Sequence, residues 1–253
     1  MGKYLVAVVV LGVVLLNGFC ICQVKFDKKE VVNRNDSKTF SNCNDARDAG
    51  YNKSGIYRLH MLRAPSNIST KPTFHIYCKF TANNAFNVIQ RRLDGTLNFN
   101  TFYHYYVNGF GHPTAEYWAG LNPIQYLTQT GSNRLQITLQ EWNGNTVIVR
   151  YSHFSLSGST YRLNIYGYVG SIADDMSFAN GQDFHTSDYP DARNCAVNQK
   201  AGWWYNNCAY ALLNGFYYRG GPYTPSGTFY DGIYWKDWLG YGYSLKYTEM
   251  AVY

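Results

Sequence analysis

Residues that could do chemistry are scattered along this chain of 253 residues. Glu116 and Glu141 stand in separate segments, and the six histidines are spread in the same way: His60, His75, His104, His112, His153 and His185. The sequence contains no Gly-x-Ser-x-Gly elbow, no His-Glu-x-x-His pair and no Walker loop. Carboxylates that are distant in sequence can still meet in a fold, as in glycosidases. The pattern nevertheless favours a binding protein over an enzyme.

An apolar run near the N-terminus points to export from the cell. It follows Lys3 and extends from Tyr4 to Leu16 before polar residues interrupt it. A membrane-spanning helix needs about twenty apolar residues, so this run is more typical of a secretory signal peptide than of an uncleaved anchor. We therefore expect a secreted, extracellular protein without membrane insertion. Its predicted parts are a signal peptide over 1–22, a short leader over 23–40 and one domain over 41–253.

The cysteines that remain after such a cleavage are even in number, as expected in an oxidising compartment. They are Cys43, Cys78, Cys195 and Cys208. Four cysteines allow three pairings, and the smallest loops favour Cys43 with Cys78 and Cys195 with Cys208. Three sequons fit the same compartment as candidate glycosylation sites, at Asn35, Asn52 and Asn67.

Composition indicates a packed globular protein. Aromatic residues make up 18% of the chain and 25 residues are tyrosine, whereas 15% are charged. The 22 Lys and Arg residues outnumber the 16 Asp and Glu residues, but they form no basic run. We therefore expect no nucleic-acid partner.

Strand patterns dominate the first two thirds of the chain. Residues 74–80 and 135–140 alternate between apolar and polar side chains, so each stretch has one apolar face. Asn143-Gly144 predicts a two-residue type I′ hairpin turn between the second stretch and a strand over 146–156. Further predicted elements are a turn at Asp94-Gly95 and a strand over 161–170.

Helix patterns are short. Residues 44–50 begin with polar capping residues and end at Gly50, and residues 122–131 open on Asn122 and Pro123, which is typical of a helix start. Beyond Ser171 the periodicity fades and Gly, Asn, Asp, Pro and Tyr predominate. This predicts a loop-built region, where binding sites tend to lie. The fold class expected is α+β.

Eight segments, in order, carry a resemblance to a known family: SGIYRL (54–59), VIQRRLDGTLNF (88–99), NGFG (108–111), EYWAGLNPIQYLT (116–128), GWWYNNC (202–208), LNGFYYRGG (213–221), GIYW (232–235) and SLKYTEMAV (244–252). Together they resemble the fibrinogen C-terminal domain family, which includes fibrinogen, ficolins, tachylectins, tenascins and angiopoietins. The similarity is strongest to the secreted lectins of the ficolin and tachylectin type. It implies a central twisted antiparallel sheet, short helices, a loop-built C-terminal binding subdomain and the same two disulfides that loop size favours.

The resemblance also implies a calcium site before the second disulfide. The matching stretch, FHTSDYPDARNC (184–195), offers Asp188 and Asp191 as metal ligands. Calcium takes six to eight oxygens, and two carboxylates with backbone carbonyls and water can supply them. This loop is about three residues shorter than the family's usual one, and Pro190 stands where an acidic residue or Asn is common. A Pro-containing turn with two solvated carboxylates is the alternative.

A ligand pocket is the second feature that the resemblance implies. The family carries a cis peptide bond before the second cysteine, which here is Asn207-Cys208, and it directs the N–H groups of Cys208 and Ala209 to a ligand carbonyl. Tyr230 and Tyr241 are expected to form the pocket wall, with Asp231 at the rim. The remaining candidates are Asn198 and Gln199, which stand where lectin members often carry a tyrosine.

Two functions follow from the resemblance. The first is a lectin that binds acetylated glycans, such as those with N-acetylglucosamine, or other acetylated surface groups in innate immunity or agglutination. It would be assisted by calcium and would act as a homo-oligomer, because a single shallow site binds weakly. The alternative is a module for protein ligands in adhesion, clot-like assembly, receptor signalling or venom.

Several neighbouring residues have simpler structural interpretations. Trp203 and Trp204 are expected to be packed support, because large aromatic residues usually act through burial. Tyr217 and Tyr218 are interpreted as strand residues. Asp174 and Asp175 are interpreted as a solvated turn.

Overall fold

A computed structural model describes residues 38–61 and 72–253. The predicted signal peptide, most of the leader and the sequons at Asn35 and Asn67 lie outside these residues, whereas Asn52 lies within them and is exposed. The helices are α1 (Cys43–Asp48), α2 (Tyr103–Asn108), α3 (Leu121–Gln129), α4 (Cys195–Gln199) and α5 (Lys236–Leu239). The strands are β1 (Gly55–His60), β2 (Thr73–Phe80), β3 (Ala85–Arg92), β4 (Phe110–Gly111), β5 (Tyr117–Trp118), β6 (Leu135–Gln140), β7 (Thr146–Ser157), β8 (Arg162–Val169), β9 (Phe184–His185), β10 (Trp203–Trp204), β11 (Ala211–Leu212), β12 (Tyr234–Trp235) and β13 (Tyr247–Val252).

One antiparallel sheet organises the domain. Its main path runs β1-β2-β3-β13-β6-β7-β8. In addition, β5 pairs with β3, and β4 pairs with β5. The last strand of the chain, β13, therefore lies in the middle, where Met250 stands between Gln90 of β3 and Ile137 of β6. Five of the six residues of β13 are buried, which explains why no alternating pattern marked this strand in the sequence.

The predicted strands are confirmed, but one turn is different. Residues 74–80 lie in β2, 135–140 form β6, and 146–156 lie in β7, which pairs with β6 as an antiparallel hairpin. The type I′ turn at Asn143-Gly144 is wrong, because Gly144 has a positive φ of 95° and Asn143 does not. Five residues, 141–145, connect the two strands, and within them the Gly144 N–H donates to the Glu141 carbonyl oxygen over 3.1 Å.

Both predicted helices are present with shifted starts. The side chain of Asn42 caps α1 by accepting from the N–H of Asp45, so this helix is capped two residues earlier than the sequence pattern suggested. Helix α3 begins at Leu121 after Gly120, without a side-chain cap. Asn122 instead accepts a hydrogen bond from the Tyr161 hydroxyl. Within the described residues, no helix is both long and apolar enough to cross a membrane.

Contacts begin slightly before the expected domain boundary. Phe40, which the sequence assigns to the leader, is buried, and its backbone forms a parallel bridge with Leu59 of β1. The two disulfides favoured by loop size, Cys43–Cys78 and Cys195–Cys208, are both present.

Buried polar side chains connect the sheet to the C-terminal loops. Gln90 of β3 donates to the carbonyl oxygen of Leu213 over 2.9 Å and to the side chain of Asn214 over 3.2 Å. The guanidinium of Arg92, which is 1% exposed, donates to the Gly215 carbonyl oxygen. The loop that follows β11 is therefore fixed to strand β3 of the sheet.

Candidate functional site

The second disulfide encloses the start of the candidate site. Cys195 opens α4, Cys208 closes the loop, and the peptide bond between Asn207 and Cys208 is cis, as the resemblance implied. Trp203 and Trp204 are fully buried, and the Trp204 indole N–H donates to the Tyr161 carbonyl oxygen over 2.9 Å. The interpretation of both tryptophans as packed support is confirmed.

Gln199 and Tyr234 form a connected floor next to the cis bond. The Gln199 amide donates to the Tyr234 hydroxyl and to the Tyr230 carbonyl oxygen, each over 2.7 Å. The Tyr234 hydroxyl donates in turn to the Ala209 carbonyl oxygen over 3.3 Å. Burial raises the pKa of Tyr234, so this phenol is neutral and acts as a donor. Tyr234 was missed as a site residue, although it lies in the quoted motif GIYW.

Tyrosine rings pack against one another where the resemblance implied a pocket wall. Tyr230 is 42% exposed, and its ring stacks on Tyr241 at a centroid distance of 5.8 Å. Tyr241 meets Tyr234 edge to face at 5.1 Å. Tyr230 also meets Tyr223 edge to face at 6.1 Å, and Tyr223 stacks on Tyr218 at 4.1 Å. The structure thus brings a continuous run of rings up to the floor.

Asp231 lies beneath this wall and not at its rim. The residue is 2% exposed. One carboxylate oxygen accepts from the Tyr218 hydroxyl over 2.9 Å, and the other lies 3.6 Å from the Lys200 ammonium nitrogen. The carboxylate therefore connects the segment at Tyr218 to Lys200 at the end of α4. Tyr217 and Tyr218 lie outside the strands, so their assignment to a strand is wrong.

Arg193 is a neighbour that the sequence did not single out. Its guanidinium donates to the side-chain oxygen of Asn207 over 2.8 Å. Within the described residues, the N–H groups of Cys208 and Ala209 donate to no acceptor. Asn198 is half-buried in α4, and its N–H bonds to the Asn194 carbonyl oxygen. No contact connects the Asn198 side chain to the other described site residues.

The expected calcium loop contains both carboxylates, and both accept hydrogen bonds from the protein. Asp191 accepts from three backbone N–H groups, and Asp188 accepts from one N–H group and one hydroxyl. Within residues 38–61 and 72–253, no three His, Cys, Asp or Glu side chains are arranged to hold a metal ion. Because N–H groups occupy the oxygens that a cation requires, the donor set does not fit calcium.

The interpretation of Asp174 and Asp175 as a solvated turn is wrong for Asp175, which is 1% exposed. One of its oxygens accepts from the Asp237 N–H over 2.8 Å at the start of α5, and the other is buried without a partner. Burial raises the pKa of this carboxyl to about 7, with a further contribution from the Asp237 carboxylate, while the Asp237 N–H and Lys236 act in the opposite direction.

This pKa predicts a specific pH dependence of stability. Folding raises the Asp175 pKa, so the carboxyl stabilises the fold below its unfolded pKa near 4, and this contribution is lost as the pH rises through about 7. Asp175→Asn stays neutral at every pH. We expect the variant's melting temperature, relative to wild type, to increase steadily from pH 5 to pH 7 and to level off above. Thermal melts of both proteins across this range test it, with the exposed Asp48→Asn as control. A difference that does not change with pH would contradict the assignment.

The chain is similar in sequence to proteins with a fibrinogen-like domain. The family model for the C-terminal globular domain of fibrinogen beta and gamma chains matches residues 39–253. Human angiopoietin-related protein 6 is 36% identical over 219 residues, which cover 84% of this chain and 44% of that protein. Bovine fibrinogen-like protein 1 is 32% identical over 247 residues, which cover 90% of this chain and 76% of that protein. The chain thus spans less than half the length of the angiopoietin-related protein.

Solved structures of fibrinogen-like domains match the fold of this chain. The fibrinogen-like globe domain of human ANGPTL2 matches with a TM-score of 0.77 and 37% identity, covering 85% of this chain and 98% of that chain. Lamprey fibrin D-dimer, in complex with the peptide Gly-His-Arg-Pro-amide, matches with a TM-score of 0.77 and 30% identity, covering 87% and 75%. The sheet, the two disulfides and these matches along nearly the whole described chain show that this protein belongs to the fibrinogen C-terminal domain family.

Proposed function

We propose that this protein is a secreted recognition module for protein or peptide ligands, and that it binds them at the cis bond and the tyrosine wall. Two disulfides within one domain support an extracellular location. The relatives support the alternative considered above in preference to the lectin, because they are angiopoietin-related and fibrinogen-like proteins. One related fibrin domain is known in complex with a short peptide.

The observation that carries the proposal is the combination of free backbone donors with exposed aromatic surface. The N–H groups of Cys208 and Ala209 have no acceptor among the described residues. Tyr234 donates to the Ala209 carbonyl oxygen and meets the ring of Tyr241, on which Tyr230 stacks. A peptide supplies backbone carbonyl oxygens for such donors and side chains for such rings.

Charge at the site is consistent with a ligand that brings acceptors. Arg193 bonds to a neutral amide. The carboxylates of Asp191 and Asp231 are occupied by internal donors. Among the described site residues, backbone N–H groups and the Arg193 guanidinium are therefore the groups that can meet the carbonyl oxygens of a ligand.

Substitution of the tyrosine wall tests the proposal. Peptides selected from a displayed random library on the wild-type protein should bind Tyr230→Ala roughly ten- to thirtyfold more weakly, as expected for an aromatic contact residue at an interface. Tyr166 is a matched control, because it is 56% exposed and lies on β8. Tyr166→Ala should retain full affinity, measured by calorimetry. Equal binding by wild type and Tyr230→Ala would refute the assignment of the site.

Competition separates the lectin from the peptide-binding module. We expect N-acetylglucosamine at millimolar concentration to leave peptide binding unchanged, and an N-acetylglucosamine resin not to retain the protein. Retention on that resin, reversed by free sugar and lost in Tyr230→Ala, would support the lectin and contradict the proposal.

A further inference from the structure

Asp191 occupies the position of a helix cap. Its Oδ1 atom accepts from the N–H groups of Arg193 and Cys195 over 3.0 and 3.1 Å, and its Oδ2 atom accepts from the N–H of Ala196 over 2.9 Å. The residue directly before α4, Asn194, makes no side-chain cap and has a positive φ of 56°. Asp191 therefore satisfies the free N–H groups at the start of α4 that the neighbouring residue leaves open.

Asp188 does the same for a helix that is distant in sequence. Both of its carboxylate oxygens accept from the Tyr103 N–H at the start of α2, over 2.9 and 3.2 Å. The residue before α2 is Phe102, which has no oxygen on its side chain and makes no cap. The Thr186 hydroxyl donates to Asp188 over 2.7 Å. The loop is thereby fixed to α2.

Ring contacts strengthen this attachment. Tyr189 packs on Tyr103 at a centroid distance of 4.7 Å and stacks on His185 at 5.5 Å. A nitrogen of the His185 ring lies 3.1 Å from the Tyr189 carbonyl oxygen. Since His185 also pairs with Trp203 in the β9–β10 ladder, the loop is connected to the packed interior from both sides.

We propose that this loop is ordered without calcium, and that Asp188 and Asp191 replace the metal by binding the protein's own N–H groups. A calcium ion needs six to eight oxygen ligands at about 2.3–2.6 Å. Its positive charge would be repelled by the N–H hydrogens that point to the same carboxylates. Displacing these donors would leave backbone N–H groups without acceptors, which is costly where they are buried. The shorter loop thus has two helix caps where the resemblance implied a metal site.

A comparison of melting temperatures with and without calcium tests the proposal, and it needs no knowledge of the ligand. The full chain in excess EDTA and in about 2 mM CaCl₂ should melt at the same temperature, and calorimetric titration with CaCl₂ should show no binding in the range of extracellular calcium sites. A melting temperature that rises by several degrees in CaCl₂, or saturable binding with Kd below about 1 mM, would overturn it.

Substitution of the cap distinguishes it from a metal ligand. Asp191→Ala should lower the melting temperature by roughly 3 °C, as expected for loss of one helix cap, and by the same amount in EDTA and in CaCl₂. The exposed Asp48→Ala should change it by less than 1 °C in both. If the loss appeared in CaCl₂ alone, Asp191 would be a calcium ligand and the proposal would be wrong. Should Asp191→Ala fail to fold, the wild-type titration remains decisive.

Discussion

Replacing Glu116 with alanine is expected to lower the free energy of unfolding by about 3–5 kcal/mol, which corresponds to roughly 10 °C in melting temperature. Glu116 and Arg92 form an ion pair with an N–O distance of 3.3 Å, and their side chains are 0% and 2% exposed. The same carboxylate accepts from the N–H groups of Leu93 and Leu97, both over 2.9 Å. Its removal leaves a buried guanidinium without its counter-ion and the turn at 93–97 without its acceptor.

Two further variants make this prediction specific. Glu116→Gln keeps an acceptor oxygen but loses the charge, so its cost should lie between those of wild type and Glu116→Ala. Asp183→Ala breaks the pair with Arg162, whose side chain is 59% exposed, and should cost at most about 1 kcal/mol. Urea titrations of all four proteins give the comparison. If Glu116→Ala lowered the free energy of unfolding no more than Asp183→Ala does, the buried pair would not stabilise the fold as predicted.

Removing the second disulfide is expected to weaken ligand binding at least tenfold as well as to lower stability. Cys195 and Cys208 are 13 residues apart. Removing the bond between them in Cys195→Ala/Cys208→Ala should lower the free energy of unfolding by about 3 kcal/mol on the chain-entropy model. Cys208 also connects α4 to the free N–H groups of the proposed site. We therefore expect selected peptides to lose at least tenfold in affinity, measured by calorimetry well below the melting temperature.

The first disulfide is the matched control for this second prediction. Cys43 and Cys78 are 35 residues apart, so Cys43→Ala/Cys78→Ala should cost about 4 kcal/mol on the same model. This pair joins α1 to β2, whereas the proposed site is built from residues 193–241. Peptide affinity should therefore stay within twofold of wild type. Equal loss of binding in both double variants would indicate general destabilisation and would contradict a local role for Cys195–Cys208.

Alternation predicted strands in which the two faces differ in burial. Strands β2 and β6 could be predicted because their residues alternate between buried and less buried positions. Strand β13 could not be predicted from alternation, because it is buried on both faces at the centre of the sheet. The turn after β6 differed from expectation because the Gly144 N–H bonds back to Glu141, a choice that dipeptide preference alone does not specify.

Site residues were found mainly through motifs that match the family. The motif at 202–208 located the cis bond, and position in the family pattern singled out Gln199, Tyr230 and Tyr241, which the structure brings together. They did not identify Arg193, since an isolated cation in a loop carries no distinctive pattern. They also placed Asp231 at the rim, whereas the fold buries it against Tyr218 and Lys200.

The sequence by itself determined the disulfide pairing favoured by loop size, strands β2, β6, β7 and β8 of the sheet, and the family. These depend on spacing, on local alternation and on the order of short motifs. Only the tertiary structure decided what the carboxylates do. Asp188, Asp191 and Asp175 look alike in the sequence as acidic residues in Pro- and Gly-rich loops. Folding brings Asp188 and Asp191 to helix starts and encloses Asp175 beside Asp237. The role of a carboxylate depends on which N–H groups and how much water surround it, and those neighbours come from segments far apart in the chain.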